Sequence, residues 1–254
     1  MTQPRLFAIV PGFGEPHTAH KEEILRGNLA VFGRSFAERL VRVCCYTPGY
    51  RLPGDLQPAV DAVYEPGIVG HFLLKHAHPE EIGKLGATHV AIVLDDVELL
   101  PGVDLGLMLK VMAGIGANIA SPALPAEPPH FWKYMMREAD RPPGAVVVST
   151  CCELFCYLMT LEDYRRYFLG LDVTNPWCWG VDLTLHRVRG LKAAIFNDMV
   201  MRHWYRGAGE NNGALAQEAA YYARRGLTKQ ELVGSQRLEM MQYKVMDGPG
   251  DNRP

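Results

Sequence analysis

The sequence lacks any apolar run long enough to cross a membrane. A membrane-spanning helix needs about 18 consecutive apolar residues, and no stretch of the 254 residues reaches that length. The apolar run at residues 6–10 is too short for the core of a signal peptide, because Pro11 and Gly12 follow it directly. We therefore expect a soluble, intracellular protein of the cytoplasm.

The chain also lacks an excess of charge of either sign. It has 26 Lys and Arg against 28 Asp and Glu, a formal net charge of −2. A surface that coats nucleic acid needs a strong basic excess, so the composition argues against that class of protein. It leaves open a nucleic-acid substrate held in one local groove. Hydrophobic residues make up 48% of the chain, which is typical of a globular protein.

The six cysteines lack the spacing of a zinc site. Cys44 and Cys45 are adjacent, as are Cys151 and Cys152, whereas zinc ligands along a chain are usually separated by about two to four residues. Cys156 completes such a gap with Cys152, but no matching second pair follows. We predict that the cysteines are buried, reduced and structural.

Several catalytic signatures are absent as well. Residues 11–14 read Pro-Gly-Phe-Gly after an apolar run, but no Gly-Lys-Ser/Thr follows at P-loop spacing and the third glycine of a dinucleotide fingerprint is missing. Ser121 and Ser149 lie outside any nucleophile-elbow context. The sequence thus gives no support to a P-loop NTPase, a Rossmann dehydrogenase or a serine hydrolase.

Alternating apolar runs and helical periodicity predict an α/β fold for the first half of the chain. We predict strands at residues 5–10, 39–46, 61–64, 88–94 and 118–121. Helices fall between them, and Thr18 is expected to cap the first. The pattern favours parallel pairing with helices on the faces of the sheet.

The second half is less regular. We predict a β-rich stretch at 145–159, helices at 161–169 and 181–188, a strand at 192–200 and a helical tail from 214, where Thr228 and Glu231 have the spacing of a capping box. No linker or repeat is evident. We therefore expect one domain at residues 1–206 and a helical tail at 207–254 packed on it or extending from it.

Three acidic residues follow the strongest predicted strand. Asp95, Asp96 and Glu98 repel one another, and nothing in strand or helix formation requires them there. Ligands of open α/β sheets bind at the carboxyl ends of the strands, and carboxylate oxygens there suit Mg²⁺ or Mn²⁺ bridged to phosphates. The alternative is an acidic turn that is simply solvated.

Two later features have both a functional and a structural interpretation. Asp182 follows Trp177, Trp179 and Gly180, and it is either a general base in an aromatic pocket or the cap of the next helix. His203 ends an apolar strand and is either a metal ligand or an ordinary packed histidine.

The order of these motifs resembles that of GT-A-type nucleotide-sugar glycosyltransferases. The resemblance runs from about residue 5 to residue 205, and it is greatest to the branch that carries the uncharacterised domain DUF707. It implies a GT-A-like α/β fold with a mixed, mainly parallel sheet flanked by helices. It also implies transfer of a sugar from a UDP-type donor with Mn²⁺ or Mg²⁺ as cofactor.

The resemblance implies a role for each motif. The nucleotide would be held by Pro11, Gly12, Phe13, Gly14, Lys21 and Asp95. The metal would be held by Asp96, Glu98 and His203. On the acceptor side lie Trp177, Trp179 and Gly180, with Asp182 as the catalytic base.

The acidic motif departs from the family's Asp-x-Asp, because residues 96–98 read Asp-Val-Glu. Asp96 is acidic in either register, whereas the residue that meets the ribose is left open. Two alternatives also stay open: a nucleotidyltransferase, and a non-catalytic carbohydrate- or partner-binding module on a decayed GT-A fold.

The acceptor is a hydroxyl of a saccharide, of a small molecule or, as a minority prediction, of a modified nucleobase in DNA. The prediction of a DNA acceptor depends on four arginines near the end of the sequence: Arg202, Arg206, Arg224 and Arg225. Their alternative interpretation is a set of solvated surface charges. The sequence gives no indication of the oligomeric state.

Overall fold

A computed structural model describes residues 3–128, 130, 132–205 and 212–243 of the protein. Its strands are β1 (Arg5–Phe13), β2 (Glu38–Cys45), β3 (Asp61–Tyr64), β4 (His89–Val93), β5 (Val97–Leu99), β6 (Ile119–Ala123), β7 (Ala145–Ser149), β8 (Cys156–Thr160), β9 (Ala193–His203) and β10 (Leu238–Gln242). Its helices are α1 (Thr18–Ser35), α2 (Val69–His76), α3 (Pro79–Lys84), α4 (Leu105–Gly114), α5 (Leu161–Phe168), α6 (Leu185–Arg189), α7 (Asn212–Ala223) and α8 (Lys229–Gly234).

One large sheet organises these elements. Its strand order is β10-β7-β9-β6-β8-β4-β1-β2-β3, and β5 pairs with the far end of β9. β1 pairs in parallel with β2 and β4, while β8 inserts antiparallel between β4 and β6. β7 and β8 run against the other strands of this order, so the expected α/β fold with a mixed, mainly parallel sheet is confirmed.

The sheet forms because its central strands are apolar on both faces. Leu6, Phe7, Ala8 and Ile9 of β1 are at most 1% exposed, which is typical of a strand covered by helices on both sides. Helix α1 adds buried apolar residues at helical spacing to the same core, including Leu25 and Phe32. This arrangement fixes the carboxyl ends of β1, β4 and β9 at the same edge of the sheet.

The structure corrects several predicted boundaries. β1 continues through Pro11 and Gly12 to Phe13, because an irregularity absorbs the proline and the positive φ of Gly12 (81°). The predicted β-rich stretch divides into β7 and β8. The predicted helix at 181–188 is wrong in its first turn, since residues 181–184 form a turn and α6 begins at Leu185.

The C-terminal segment, which we define as residues 212–243, contains one element that the sequence did not predict. It holds α7, α8 and the predicted capping box, in which Thr228 and Glu231 bond each other's backbone N–H groups. It then adds β10, which pairs antiparallel with β7. The residues of β10 are mostly exposed and lack clear alternation, so their pattern did not reveal a strand. The proposed division after residue 206 falls outside the described residues.

Two predictions about composition can be compared with the structure. All six cysteines are buried and free of disulfide bonds, and burial raises the pKa of the thiols of Cys44 and Cys45 to about 12. Such thiols stay protonated and act as small packing groups. Over the described ranges, no helix is long and apolar enough to span a bilayer.

Candidate functional site

The loop after β1 and the turn after β4 are joined by a buried lysine. Lys21, in the first turns of α1, is 6% exposed. Its Nζ lies 2.7 Å from Oδ2 of Asp95 and donates a 2.8 Å hydrogen bond to the carbonyl oxygen of Gly14. The ammonium group therefore connects the carboxyl ends of two neighbouring strands.

The Asp95 carboxyl lies in a poorly solvated environment. Burial raises its pKa to about 6, the Lys21 ammonium opposes that rise, and the Asp96 carboxylate adds to it. Phe13, the last residue of β1, is fully buried, and its ring stacks on Tyr50 with centroids 5.8 Å apart. Of the predicted nucleotide-binding residues, Lys21, Gly14 and Asp95 thus contact one another, whereas Phe13 holds the loop from inside the core.

Asp96 and His203 form a second pair at this edge. Nε2 of His203 lies 3.0 Å from Oδ2 of Asp96, and both side chains are nearly buried. The pairing of β5 with the end of β9 places Val97 opposite His203, which brings the two side chains together. The buried Nδ1 of His203 has no hydrogen-bond partner in the described part of the chain.

Glu98 is engaged elsewhere. Its Oε2 accepts a 2.9 Å hydrogen bond from Nε1 of Trp204 and lies 3.4 Å from Nη1 of Arg202. Among the described residues, no group of three or more His, Cys, Asp or Glu side chains is arranged to hold a metal ion. The described residues therefore offer one carboxylate oxygen, Oδ2 of Asp96, which faces one ring nitrogen, Nε2 of His203. A cation between these two atoms would take its remaining ligands from phosphate oxygens and water.

Residues 95–98 form a turn that we call the acidic turn. Sequence reasoning missed Asn28, which holds this turn in place. Asn28 is 2% exposed on α1, and its Nδ2 donates to the carbonyl oxygen of Val97 at 2.7 Å while its Oδ1 accepts from the N–H of Leu99 at 2.8 Å. The side chain thus acts as a neighbouring strand for β5. It lies seven residues after Lys21, on the same face of α1, and that spacing was its only signal in the sequence.

A ring cluster beside the acidic turn was also missed. The rings of His17 and Tyr205 stack with centroids 4.1 Å apart, and Nδ1 of His20 lies 2.5 Å from the Tyr205 hydroxyl. Trp204 meets His20 edge-on at 4.6 Å. The rings belong to residues 17–20 and 204–205, which are far apart in the sequence, so no local pattern could reveal that they cluster.

The second candidate region is the tryptophan turn, which we define as residues 175–184. Asn175 is fully buried and donates from Nδ2 to the carbonyl oxygen of Trp179 at 2.8 Å. The guanidinium of Arg189 closes the other end, with hydrogen bonds to the carbonyl oxygen of Val181 and to Oγ1 of Thr184 at 2.8 Å. The turn is therefore held rigidly from inside, while Trp177 and Trp179 remain more than one-third exposed.

The structure argues against one interpretation of Asp182. Thr184 occupies the N-cap position of α6, so Asp182 is not the cap of that helix. Burial raises the pKa of the Asp182 carboxyl to about 6, and the negative charge of Glu218 contributes to the rise. The backbone amide of Leu183 and the charge of Lys229 act in the opposite direction. A carboxyl with such a pKa accepts a proton near neutral pH.

Residues 151–155 connect the two regions. The ring of Phe155 packs against His203 with centroids 4.5 Å apart, and the charge of Asp182 contributes to the raised pKa of Cys151. The hydroxyl of Tyr134 donates to the carbonyl oxygen of Cys151 at 3.1 Å. One short segment thus contacts His203 through Phe155 and places Cys151 where the charge of Asp182 acts on its thiol.

The C-terminal arginines are paired within the protein. Nη1 of Arg202 lies 3.4 Å from Glu98, and its guanidinium lies over the ring of Trp204. Arg224 and Arg225 both approach Asp172, at 2.8 and 3.7 Å. Arg206 lies outside the described residues. Arg202, Arg224 and Arg225 are therefore paired within the protein rather than simply solvated, and the DNA acceptor stays a minority prediction.

Comparison with known proteins finds no matching family model and no matching curated protein. Among solved structures, the chain is similar to apo UDP-glucose pyrophosphorylase, with TM-score 0.50 and 12% identity over 87% of this chain and 99% of that one. It also overlays on mannose-1-phosphate geranyltransferase from Thermus thermophilus, with TM-score 0.46 and 9% identity over 79% and 76% of the two chains. The likeness to UDP-glucose pyrophosphorylase shows a shared fold.

Proposed function

We propose that the protein is a transferase that binds a nucleotide sugar at the carboxyl edge of the sheet. The observation that carries this proposal is the arrangement of two paired carboxylates beside the first loop, Asp95 with Lys21 and Asp96 with His203. The shared fold with UDP-glucose pyrophosphorylase, whose name states a nucleotide-sugar reaction, supports the same substrate class.

In its finer form the proposal is a metal-dependent glycosyltransferase with a UDP-type donor. Asp96 and His203 would hold Mn²⁺ or Mg²⁺, which neutralises diphosphate charge when it is bound. Pro11, Gly12, Gly14 and Lys21 would line the nucleotide site. Glu98 would hold Arg202 and Trp204 beside that site through its bonds to them. The narrower assignment to the DUF707 branch stays a prediction, since no family model matches.

On the acceptor side, Asp182 would accept the proton of the acceptor hydroxyl. The hydroxyl oxygen would form a bond to the sugar's anomeric carbon, and the bond from that carbon to the diphosphate would break. Trp177, Trp179 and Gly180 would shape the acceptor pocket, since exposed aromatic faces pack against sugar rings.

A nucleotidyltransferase is the second candidate, and the fold likeness to a pyrophosphorylase favours it. The two reactions break different bonds. A glycosyltransferase breaks the bond from the anomeric carbon to the diphosphate oxygen and releases UDP. In a nucleotidyltransferase, pyrophosphate attacks the phosphorus next to the nucleoside, the bond from that phosphorus to the bridging oxygen of the diphosphate breaks, and UTP and a sugar phosphate are released.

One assay separates these functions. Purified protein is incubated with UDP-sugars and Mn²⁺, with and without pyrophosphate, and UDP and UTP are quantified. We expect UDP release that is independent of pyrophosphate, and at least a tenfold loss in Asp96→Asn. The matched control is Asp61→Asn, a paired carboxylate at the start of β3, on the opposite edge of the sheet.

UTP that appears only with pyrophosphate would replace the glycosyltransferase by the nucleotidyltransferase. The absence of both products, with Mn²⁺ affinity unchanged by UDP, would contradict both enzymes and favour a decayed binding module.

A further inference from the structure

The C-terminal segment is docked on the tryptophan turn. The hydroxyl of Tyr221 donates to the carbonyl oxygen of Gly170 at 2.9 Å and lies 3.1 Å from Oγ1 of Thr184. Tyr222 packs directly on Gly180, because a Cβ atom added to this glycine would clash with the Tyr222 hydroxyl oxygen. Gly180 is therefore the residue that lets α7 lie against the turn that carries Asp182.

The same helix carries a buried carboxylate into this contact. Glu218 is 6% exposed and lies one turn before Tyr222, whose hydroxyl donates to its Oε1 at 2.8 Å. Nζ of Lys229, at the start of α8, lies 3.0 Å from Oε1 and 3.1 Å from Oε2. Because a carboxylate in this position needs a compensating charge, the segment supplies an acid and its own counterion together.

Asp182 lies two residues after Gly180, and the Tyr222 hydroxyl that packs against Gly180 donates to Glu218, so one hydroxyl connects the pair to the turn of Asp182. Its own hydrogen bonds come from the backbone amides of Asp182 and Leu183, and no salt bridge to it forms within the described ranges. The charged groups that act on it are Glu218 and Lys229, with opposite signs. The other titratable groups that face it have raised pKa values and are neutral at pH 7; they are Tyr134, Cys151, Cys152, Tyr157, Cys178 and Tyr222.

We propose that Glu218 and Lys229 are a positioning pair that controls the charge of the Asp182 carboxyl, so that the C-terminal segment completes the acceptor side of the site. This rests on the proposed function, in which Asp182 accepts the proton of the acceptor hydroxyl. A general base must be ionised at working pH and still bind a proton well. The pair provides both effects, since Glu218 strengthens proton binding and Lys229 limits it.

The test is a titration of the Asp182 carboxyl in the protein without substrate, by ¹³C NMR of carboxyl-labelled aspartate. We expect Glu218→Gln to lower the midpoint by about half to one pH unit and Lys229→Met to raise it by a smaller amount, because the Lys229 side chain is more exposed to solvent. The matched controls are Glu239→Gln and Arg237→Met, which change exposed charges in and just before β10 and should leave the midpoint unchanged.

Opposite shifts of the two variants uphold the proposal, because a purely structural change would not reverse sign with the charge removed. Shifts below about 0.2 pH units, or shifts in one direction for both variants, would overturn it. Lys229 is more than half exposed, so its variant remains informative if Glu218→Gln fails to fold.

The pH profile of kcat/KM for UDP release separates this proposal from the proposed function. Its acidic limb should move with the NMR midpoint in each variant. Opposite NMR shifts in a protein that turns over no nucleotide sugar would uphold the pair and contradict the function. Turnover with an unmoved midpoint would uphold the function and overturn the pair.

Discussion

The acidic turn and the tryptophan turn surround their carboxylates differently. Each acidic side chain of the first has a basic partner: Lys21 for Asp95, His203 for Asp96 and Arg202 for Glu98. Asp182 in the second has no salt bridge among the described residues and accepts hydrogen bonds from backbone amides. Burial raises the pKa of both Asp95 and Asp182 to about 6, but only Asp95 has a cation in direct contact. The acidic turn gathers several carboxylates and suits a cation, whereas the tryptophan turn isolates one carboxyl and suits a group that takes up a proton.

The largest expected effect comes from Lys21→Met. It leaves the nearly buried Asp95 without its partner, and breaking a buried ion pair on one side costs about 4 kcal/mol. Urea unfolding measures the loss, with the exposed Lys110→Met on α4 as control. We expect the double variant Lys21→Met/Asp95→Asn to recover part of the stability. A loss below about 1 kcal/mol in the single variant would mean that the acidic turn does not depend on its cation.

Asn28→Ala should produce the next largest effect. It leaves the carbonyl of Val97 and the N–H of Leu99 without their partner, at a cost of about 3 kcal/mol. Asn118→Ala is the matched control, because Asn118 also bridges two groups, Asp163 and Lys192, away from the acidic turn. Both variants should lose stability, but only Asn28→Ala should speed amide exchange in β5. Equal exchange in the two variants would contradict a specific role of Asn28.

Gly180→Ala tests the contact between the tryptophan turn and the C-terminal segment. Both Gly180 and Gly226 have positive φ, at 79° and 63°, but only the new methyl group at 180 would meet another residue, Tyr222. We expect Gly180→Ala to lose about 2 kcal/mol more than Gly226→Ala in denaturant unfolding. If the two losses are equal, backbone strain explains both and the docking of α7 adds nothing.

The smallest expected effect is a pH dependence of stability from Asp182. Its folded pKa of about 6 lies above its ordinary value, so the wild type loses stability as the pH rises from about 4 to about 6. Asp182→Asn lacks that loss and should gain on the order of 1 kcal/mol relative to wild type between about pH 4 and 7.

Asp172 offers a control of opposite sign for this pH dependence. Despite its burial, hydrogen bonds from Thr174 and Arg224 lower its pKa to about 2. The stability that the ionised Asp172 contributes to the folded protein is present above about pH 4 and is lost as the pH falls through about 2. Asp172→Asn should therefore be less stable than wild type at neutral pH and equal to it near the folded pKa of about 2. Parallel curves for the two variants would contradict the assignment of Asp182 as a proton acceptor.

The sequence predicted best what depends on local pattern. β3 was placed at its observed bounds, and the acidic residues after β4 could be found because a buried apolar strand ends abruptly in charge. The neighbours of those residues were harder. Lys21 could be named as a candidate near the first loop but not as the partner of Asp95. Asn28 could not be named at all, since its two bonds span about 70 residues.

The tryptophan turn could also be predicted only in part. Its proline and glycine predicted an irregular segment, yet Asn175 and Arg189, which hold it, look like ordinary polar residues in the sequence. Glu218 and Lys229 lie beside the turn only because α7 docks on it through Tyr221 and Tyr222. Long-range packing decides such contacts, and no local pattern records them.

The pairing of β10 with β7 has a consequence for synthesis of the chain. Arg237 and Thr150, at the junction of the two strands, are 87 residues apart, and translation proceeds at about 5–20 residues per second. For on the order of ten seconds the nascent chain carries β7 with one edge unpaired, a template for wrong pairing. During that interval Lys21 and Asp95 can already meet, whereas His203, the partner of Asp96, and α7, which docks beside Asp182, are still to be synthesised at its start. The lysine–aspartate pair therefore forms first, and the contacts around Asp96 and Asp182 are completed later.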